Sequence, residues 1–146
     1  MGVARQYCGQ LGKQDNCQVA VSLSLANHGA SLPVSYRLYL PRDWAEVPVR
    51  RAKAGVPEEI AVQTKPEIAL DLLRAAAAAG LPPAPVVTDA GYGKDTGFHT
   101  GVSALGLSYV AAVLSSTTVW PPGTGPLPPK PWSGPVSYTH LTLPTN

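Results

Sequence analysis

The clearest indication of the fold class is the stretch Pro85-Val-Val-Thr-Asp-Ala-Gly-Tyr-Gly93. Its apolar first half predicts a short strand that ends at Asp89, and the two glycines that follow predict a sharp turn. Asp95-Thr-Gly-Phe-His99 then predicts the start of a helix that ends near Leu105, and a last strand is expected over Tyr109–Leu114. Two strands joined through a helix are typical of an α/β protein.

The residues before this stretch predict an antiparallel hairpin. Apolar and polar residues alternate over Cys17–Leu25 and again over Val34–Leu40, as in strands with one buried face. The turn residues Asn27-His-Gly29 lie between the two segments, and Val3–Cys8 predicts a further, shorter strand. Together with the later strands, this order predicts one mixed sheet with helices packed against it.

The segment between the hairpin and the Asp89 strand has two parts, a charged irregular part and a helix. Most of the charged residues fall within Pro41–Gln63, which prolines and a glycine interrupt, so we expect a long surface excursion with a helical turn. A regular helix is expected next, because Thr64 and Glu67 have the spacing of a capping box. Gly80 and the prolines after it are typical signals for the end of that helix.

Length and composition restrict the class of protein. The chain has 146 residues and a net charge of +2, which allows about one domain, and no apolar stretch is long enough to span a membrane. The N-terminus shows no secretory signal, so we expect a cytoplasmic protein. Seven prolines lie within residues 121–135, which predicts an extended connector after a globular domain over residues 1–120.

The last eleven residues, 136–146, have a different origin in our interpretation. Val136-Ser-Tyr-Thr-His-Leu-Thr-Leu-Pro-Thr145 resembles a translation of the adapter DNA used in transposon-based sequencing libraries. The alternative is a genuine short strand in which Tyr138, His140 and Thr142 alternate. We interpret the segment as a processing scar and leave it out of the fold prediction.

Asp89 is the main candidate for chemistry. A carboxylate at the carboxyl end of a strand lies at the sheet edge where open α/β folds bind ligands, so Asp89 is a candidate metal ligand or acid–base group. The alternative is a structural aspartate that forms a turn or caps a helix. The spacing alone favours the structural role.

Other patterns give weaker signals. The three glycines after Asp89 are one residue too widely spaced for a dinucleotide-binding fingerprint. Cys8 and Cys17, even together with His28 and His99, match no zinc-ligand spacing, so we expect reduced, buried thiols.

Five basic residues in or beside the excursion are candidates for contacts with a DNA backbone. They are Arg37, Arg42, Arg50, Arg51 and Lys53. The alternative is a solvated surface loop, since acidic residues are interleaved with them, and the cluster alone favours that alternative.

Several strings of this sequence resemble bacterial insertion-sequence transposases, which are DDE-superfamily endonucleases. The resemblance runs from about Gly2 to Gly134 and several of its strings are specific to the family. They are Val3-Ala-Arg-Gln-Tyr-Cys-Gly9, Gly12-Lys-Gln-Asp-Asn-Cys-Gln-Val-Ala-Val-Ser-Leu23, Leu38-Tyr-Leu-Pro-Arg-Asp-Trp44, Val56-Pro-Glu-Glu-Ile60, Thr64-Lys-Pro-Glu67, Asp89-Ala-Gly-Tyr-Gly93 and Val119-Trp-Pro-Pro122.

The resemblance implies a ribonuclease H-like fold whose mixed sheet, with flanking helices, presents two Asp and one Glu to two divalent cations, Mg²⁺ or Mn²⁺. It further implies cleavage and strand transfer at transposon-end DNA, with target DNA as a second partner, a homo-oligomer as the working form, no membrane partner and association with the nucleoid. Asp89 matches the family's second catalytic Asp, so the resemblance makes it a catalytic, metal-binding residue.

The chain departs from the family pattern at two points. The first catalytic Asp of the family precedes the string that begins here at Gly2, and the catalytic Glu follows the proline connector, so neither is matched. We therefore expect a fold truncated at both ends and a chain that is inactive alone. The alternative is a non-enzymatic α/β binding module, or a decayed transposase remnant, in which the Asp89 turn is purely structural.

Overall fold

A computed structural model describes residues 1–118, 120, 121 and 123–125 of the chain. Within these residues, Met1–Ser115 form one compact unit. Most of the predicted connector and the whole adapter-like segment 136–146 lie outside the described residues. The elements are β1 (Ala4–Cys8), β2 (Lys13–Cys17), β3 (Ala20–Ala26), β4 (Ser31–Leu38), α1 (Arg42–Ala45), α2 (Pro48–Ala54), α3 (Lys65–Ala78), β5 (Val86–Thr88), α4 (Thr96–Ala104) and β6 (Tyr109–Ala111).

The first four strands form two antiparallel hairpins, β1 with β2 and β3 with β4. Strand β1 confirms the short strand predicted over Val3–Cys8. The strand predicted over Cys17–Leu25 is divided, because Cys17 closes β2 and β3 begins at Ala20. Strand β2 is not predicted by alternation of apolar and polar residues, since four of its five residues are polar.

Strand β4 begins earlier than predicted and contains an irregularity. It covers Ser31–Leu38 rather than Val34–Leu40, and the register between β3 and β4 shifts between Leu23 and Ser24. Pro33 lies opposite Ser24, directly after the shift. Proline has no N–H to donate to a neighbouring strand. The bulge therefore lies where β4 could not have formed a regular hydrogen bond with β3.

Helix α3 begins where the sequence predicts and supports the hairpin β3–β4. The Thr64 hydroxyl accepts a hydrogen bond from the Glu67 N–H at 3.4 Å, and the Glu67 carboxylate accepts one from the Thr64 N–H at 2.6 Å. Ile68 and Leu72 pack against Val21 of β3, and all three are buried. This apolar contact fixes α3 on one face of the hairpin.

The segment β5–α4–β6 is the predicted strand–helix–strand unit. Strands β5 and β6 are parallel, with Val86 opposite Tyr109. The Asp95 side chain caps α4 by accepting a hydrogen bond from the Phe98 N–H at 2.6 Å. Phe98 and Val102, which are 1% and 0% exposed, pack with Leu70 and Leu73 of α3. Helices α3 and α4 therefore share the largest buried apolar cluster among the described residues.

The predicted excursion Pro41–Gln63 is more ordered than expected. It contains the short helices α1 and α2, and Leu40, Ala45 and Val56 form a small buried cluster beneath them. The partly buried Arg51 side chain links the two ends of the segment, since its guanidinium donates hydrogen bonds to the Ala45 carbonyl before α2 and to the Glu58 and Ile60 carbonyls after it. These helices have no long apolar pattern, so the sequence predicted only a helical turn here.

The described strands pair two by two, as β1–β2, β3–β4 and β5–β6. The α/β class is confirmed. The one mixed sheet that we predicted is not formed by the residues that the structure describes, because no strand joins the hairpin β3–β4 to the pair β5–β6.

Candidate functional site

Asp89 directly follows β5 and lies exposed at its carboxyl end, as the sequence predicts. Its Oδ1 accepts a hydrogen bond from the Gly91 N–H at 2.8 Å, which is the geometry of an aspartate-stabilised turn. No hydrogen bond to its Oδ2 occurs within the described part of the chain. The predicted helix-capping role belongs instead to Asp95.

The two glycines after Asp89 are not needed for an unusual backbone conformation, although the sequence suggests that they are. Neither Gly91 nor Gly93 has a positive φ, so the turn itself does not require glycine at either position. A Cβ on Gly91 would lie 2.9 Å from Asp89 Oδ1, and a Cβ on Gly93 would overlap the carbonyl oxygen of Ala112. The predicted turn is formed, since the Tyr92 N–H donates to the Asp89 carbonyl at 3.2 Å. Lack of space, and not the dihedral angle, excludes side chains at Gly91 and Gly93.

Asp89 lines a cleft between two of the small sheets. The cleft has a volume of about 290 Å³, and its walls are residues 20–23 of β3 and residues 86–89 at β5. Ala69, Leu72 and Leu73 of α3 also line it. Strand β3 pairs only with β4, and β5 only with β6, among the described strands. One edge of each wall strand is therefore without a strand partner in the described structure.

Tyr92 lies beside Asp89 in the same cleft. Its ring packs against Phe98 with the ring centroids 5.3 Å apart. Burial, and to a smaller degree the negative charge of Asp89, raise the pKa of Tyr92 above its usual range. Tyr92 therefore keeps its phenolic proton to a higher pH than an exposed tyrosine does.

The other candidate ligands are not assembled around Asp89. No group of three or more His, Cys, Asp or Glu side chains suited to a metal occurs among the residues described. Cys8 and Cys17 are reduced, as predicted, but only partly buried. Partial burial and the neighbouring Cys8 thiol raise the pKa of Cys17. His99 is stacked on Tyr109 with the ring centroids 4.8 Å apart.

Three of the five candidate DNA-binding cations have protein partners. Arg37 lies 3.1 Å from the Asp71 carboxylate, and Arg50 lies 3.7 Å from that of Asp43 and over the Trp44 ring. The third, Arg51, donates to backbone carbonyls. These contacts support the solvated-surface alternative for most of the cluster.

Comparison with known proteins gives the chain a family. The family model of the DDE superfamily endonucleases matches residues 1–139. This chain belongs to that family. A probable transposase for insertion sequence element IS701 of Microchaete diplosiphon is 34% identical to this chain over 115 residues, which are 78% of the chain. No solved structure matches the chain.

The matched part of the chain spans 27% of the length of that relative. The comparisons confirm the resemblance to insertion-sequence transposases. None of the helices in the described ranges is long and apolar enough to cross a membrane.

The sequence predicts Asp89 as a candidate residue but does not predict what surrounds it. The roles of Gly91 and Gly93 depend on distances to Asp89 and Ala112, and no pattern of residue types contains them. Tyr92 follows Asp89 by three residues, and only the fold shows that it lines the same cleft.

Proposed function

We propose that this chain is the central part of the catalytic domain of a transposase that cleaves transposon-end DNA and joins it to target DNA. The observation that carries the proposal is the position of Asp89, exposed at the carboxyl end of β5 and at the edge of a cleft. The family of the chain supports it, and so does its similarity to a probable transposase. In the complete protein, Asp89 would be one of three catalytic carboxylates.

Asp89 has the donor chemistry that a hard divalent cation requires. A carboxylate oxygen suits Mg²⁺ and Mn²⁺, and Oδ2 has no hydrogen-bond partner among the described residues. One carboxylate does not make a site, since Mg²⁺ keeps its waters unless several ligands or substrate phosphates displace them. When bound, such cations activate the attacking hydroxyl group and stabilise the leaving oxygen. The remaining Asp and Glu would come from outside this chain.

We also propose that the complete domain has a ribonuclease H-like sheet. Strands β3 and β5 both border the cleft, each is unpaired on one side among the described strands, and α3 lies beneath both. A strand that carries the first catalytic Asp would fit between them and complete a mixed sheet. Without that strand and without the Glu, the 146-residue chain is expected to be inactive.

Substitution of Asp89 in a complete transposase that contains this segment tests the proposal. Asp89→Asn removes the charge and keeps the size, so we expect nicking of labelled transposon-end DNA to fall at least about 100-fold in Mg²⁺. Asp95→Asn is the matched control, because asparagine also caps helices well and should leave nicking within about twofold.

Two results would contradict the proposal. Full nicking activity in Asp89→Asn would show that Asp89 is not a catalytic residue and that its turn is a structural feature only. Mg²⁺-dependent nicking by the 146-residue chain that disappears in Asp89→Ala would show that the chain is active alone.

A further inference from the structure

The glycine at position 91 has an unusual reason to be small. Six described glycines have a positive φ, and Gly91 is not among them, so an alanine could adopt its backbone conformation. The atoms nearest to a Cβ at this position are Oδ1 and Cγ of Asp89, at 2.9 and 3.9 Å. The Asp89 carboxylate itself is therefore what occupies the space of a side chain at 91.

The same glycine also holds that carboxylate in place. Its N–H donates a hydrogen bond to Asp89 Oδ1 at 2.8 Å. Oδ1 can take this position because Gly91 has no Cβ, which would lie only 2.9 Å from it. The hydrogen bond fixes one of the two oxygens, while no partner for Oδ2 is found in the described structure. A short bond to one oxygen sets the direction in which the other one is presented.

A second aspartate in the chain offers a comparison. Asp95 and Gly97 have the same spacing, and a Cβ on Gly97 would lie 3.2 Å from Asp95 Oδ1. Asp95 uses that oxygen to cap α4 through the Phe98 N–H, so its role is structural. The two pairs share their spacing, but Gly91 donates its own N–H to Asp89, whereas Asp95 accepts from the Phe98 N–H and not from that of Gly97.

We infer that Gly91 is a positioning residue for Asp89: its N–H holds Oδ1, and its lack of a side chain keeps the carboxylate oriented so that Oδ2 is available to a divalent cation. The inference rests on the proposed function, in which Asp89 binds a cation. It predicts that a methyl group at position 91 turns the carboxylate away and leaves the fold unchanged.

The test uses a complete transposase that contains this segment, without DNA, and Mn²⁺ alone as the probe. Loss of the free Mn²⁺ signal in electron paramagnetic resonance gives the dissociation constant directly. We expect Gly91→Ala to weaken Mn²⁺ binding about 10- to 100-fold, as changes beside a metal ligand do. The Mg²⁺ concentration for half-maximal nicking should rise by a similar factor, while the thermal midpoint stays unchanged.

Gly97→Ala is the matched control and should bind Mn²⁺ as tightly as the parent protein. Equal Mn²⁺ affinity in Gly91→Ala and the parent would overturn the inference, and so would an equal loss in Gly97→Ala. A Gly91→Ala protein that fails to fold would also overturn it, since position 91 would then serve the turn itself. These failures are separate from that of the proposed function, which Asp89→Asn tests independently.

Discussion

Gly93 shows how tightly the segment after β5 is attached to the segment after β6. A Cβ at position 93 would overlap the carbonyl oxygen of Ala112, and the Ala112 N–H donates to the Thr88 carbonyl at 3.0 Å. The backbone on both sides of Asp89 is thus in contact with one residue, Ala112. Because the neighbouring atom is backbone and not a flexible side chain, the contact cannot give way cheaply.

Gly93→Ala should destabilise the protein because the new methyl group pushes the two backbone segments apart. We expect a loss near the upper end of the about 1–3 kcal/mol that overpacking costs. Thermal unfolding of the complete transposase measures it, with Gly9→Ala as control, because a Cβ on Gly9 meets no atom within 4 Å and its φ is not positive. Equal midpoints in the two variants would show that the backbone relaxes freely around Ala112.

At this scale the sequence predicts chemistry better than geometry. Asp89 could be found because a carboxylate after an apolar run is visible as a pattern of residue types. The roles of Gly91 and Gly93 could not, since each depends on an atom from another residue, Asp89 Oδ1 or the Ala112 carbonyl. A glycine in the sequence shows that a position has no side chain, but it does not show which neighbouring atom excludes one.

Helix α3 is the element on which both parts of the core depend. It packs on Val21 through Ile68 and Leu72, and on α4 through Leu70 and Leu73. Hydrogen bonds from Thr64 hold the pKa of Glu67 below its usual range, and the Gln63 side chain, aided by Arg37 and Arg74, does the same for Asp71. Two carboxylates of α3 are therefore stabilised in their charged forms by folding.

The capping box makes a testable link between pH and stability. Because the folded pKa of Glu67 is lowered, its stabilising contribution is complete above the unfolded value of 4.5 and is lost as pH falls through the folded value. Asp71 acts in the same direction from its ordinary value of 3.8. Urea unfolding at several pH values should therefore show stability falling below about pH 4.5.

Thr64→Ala removes one partner of the box and should cost about 1 kcal/mol at pH 7. It should also reduce the pH dependence, since the Glu67 carboxylate loses the side-chain hydrogen bond from Thr64. Thr96→Ala serves as control, because Thr96 lies in the first turn of α4, where Asp95 provides the cap. An unaltered pH profile in Thr64→Ala would place the acid sensitivity elsewhere.

Elements with capping or apolar signals were predictable, and elements without them were not. Helix α3 has both signals, and its start was predicted from Thr64 and Glu67. Strand β2 is polar and owes its conformation to pairing with β1, so no local pattern marks it. Helices α1 and α2 depend on the Arg51 hydrogen bonds to carbonyls that lie up to nine residues away.

In the molecule as a whole, strand pairing remains incomplete among the described residues. Val87 and Val110 lie opposite each other in the pair β5–β6 and are 77% and 64% exposed. Tyr36 of β4 is 76% exposed. Apolar side chains on exposed strand faces and unpaired strand edges are both unfavourable in a free domain. The single sheet could not be predicted correctly because alternation identifies strands and not their partners.

Extension of the chain by the strand that we propose to carry the first catalytic Asp, taken from a complete transposase, tests the position of that strand. If that strand pairs with β3 and β5, the extended chain should resist proteolysis at least about tenfold longer, because main-chain hydrogen bonds and contacts with Leu72 and Leu73 are added. A chain extended by the same residues in scrambled order is the control. Equal lifetimes for the two extensions would contradict the strand position.

The hydrogen bonds of Arg51 also bear on how the proposed binding to DNA would respond to salt. Each phosphate that a basic side chain neutralises contributes about −0.9 to the slope of log affinity against log salt concentration. Arg37, Arg50 and Arg51 already have partners within the protein, whereas Arg42 and Lys53 have none among the described residues. This surface would therefore contribute a slope of about −2, instead of about −4.5 for five cations. In the proposed transposase, any steeper dependence on salt would have to come from residues outside this surface.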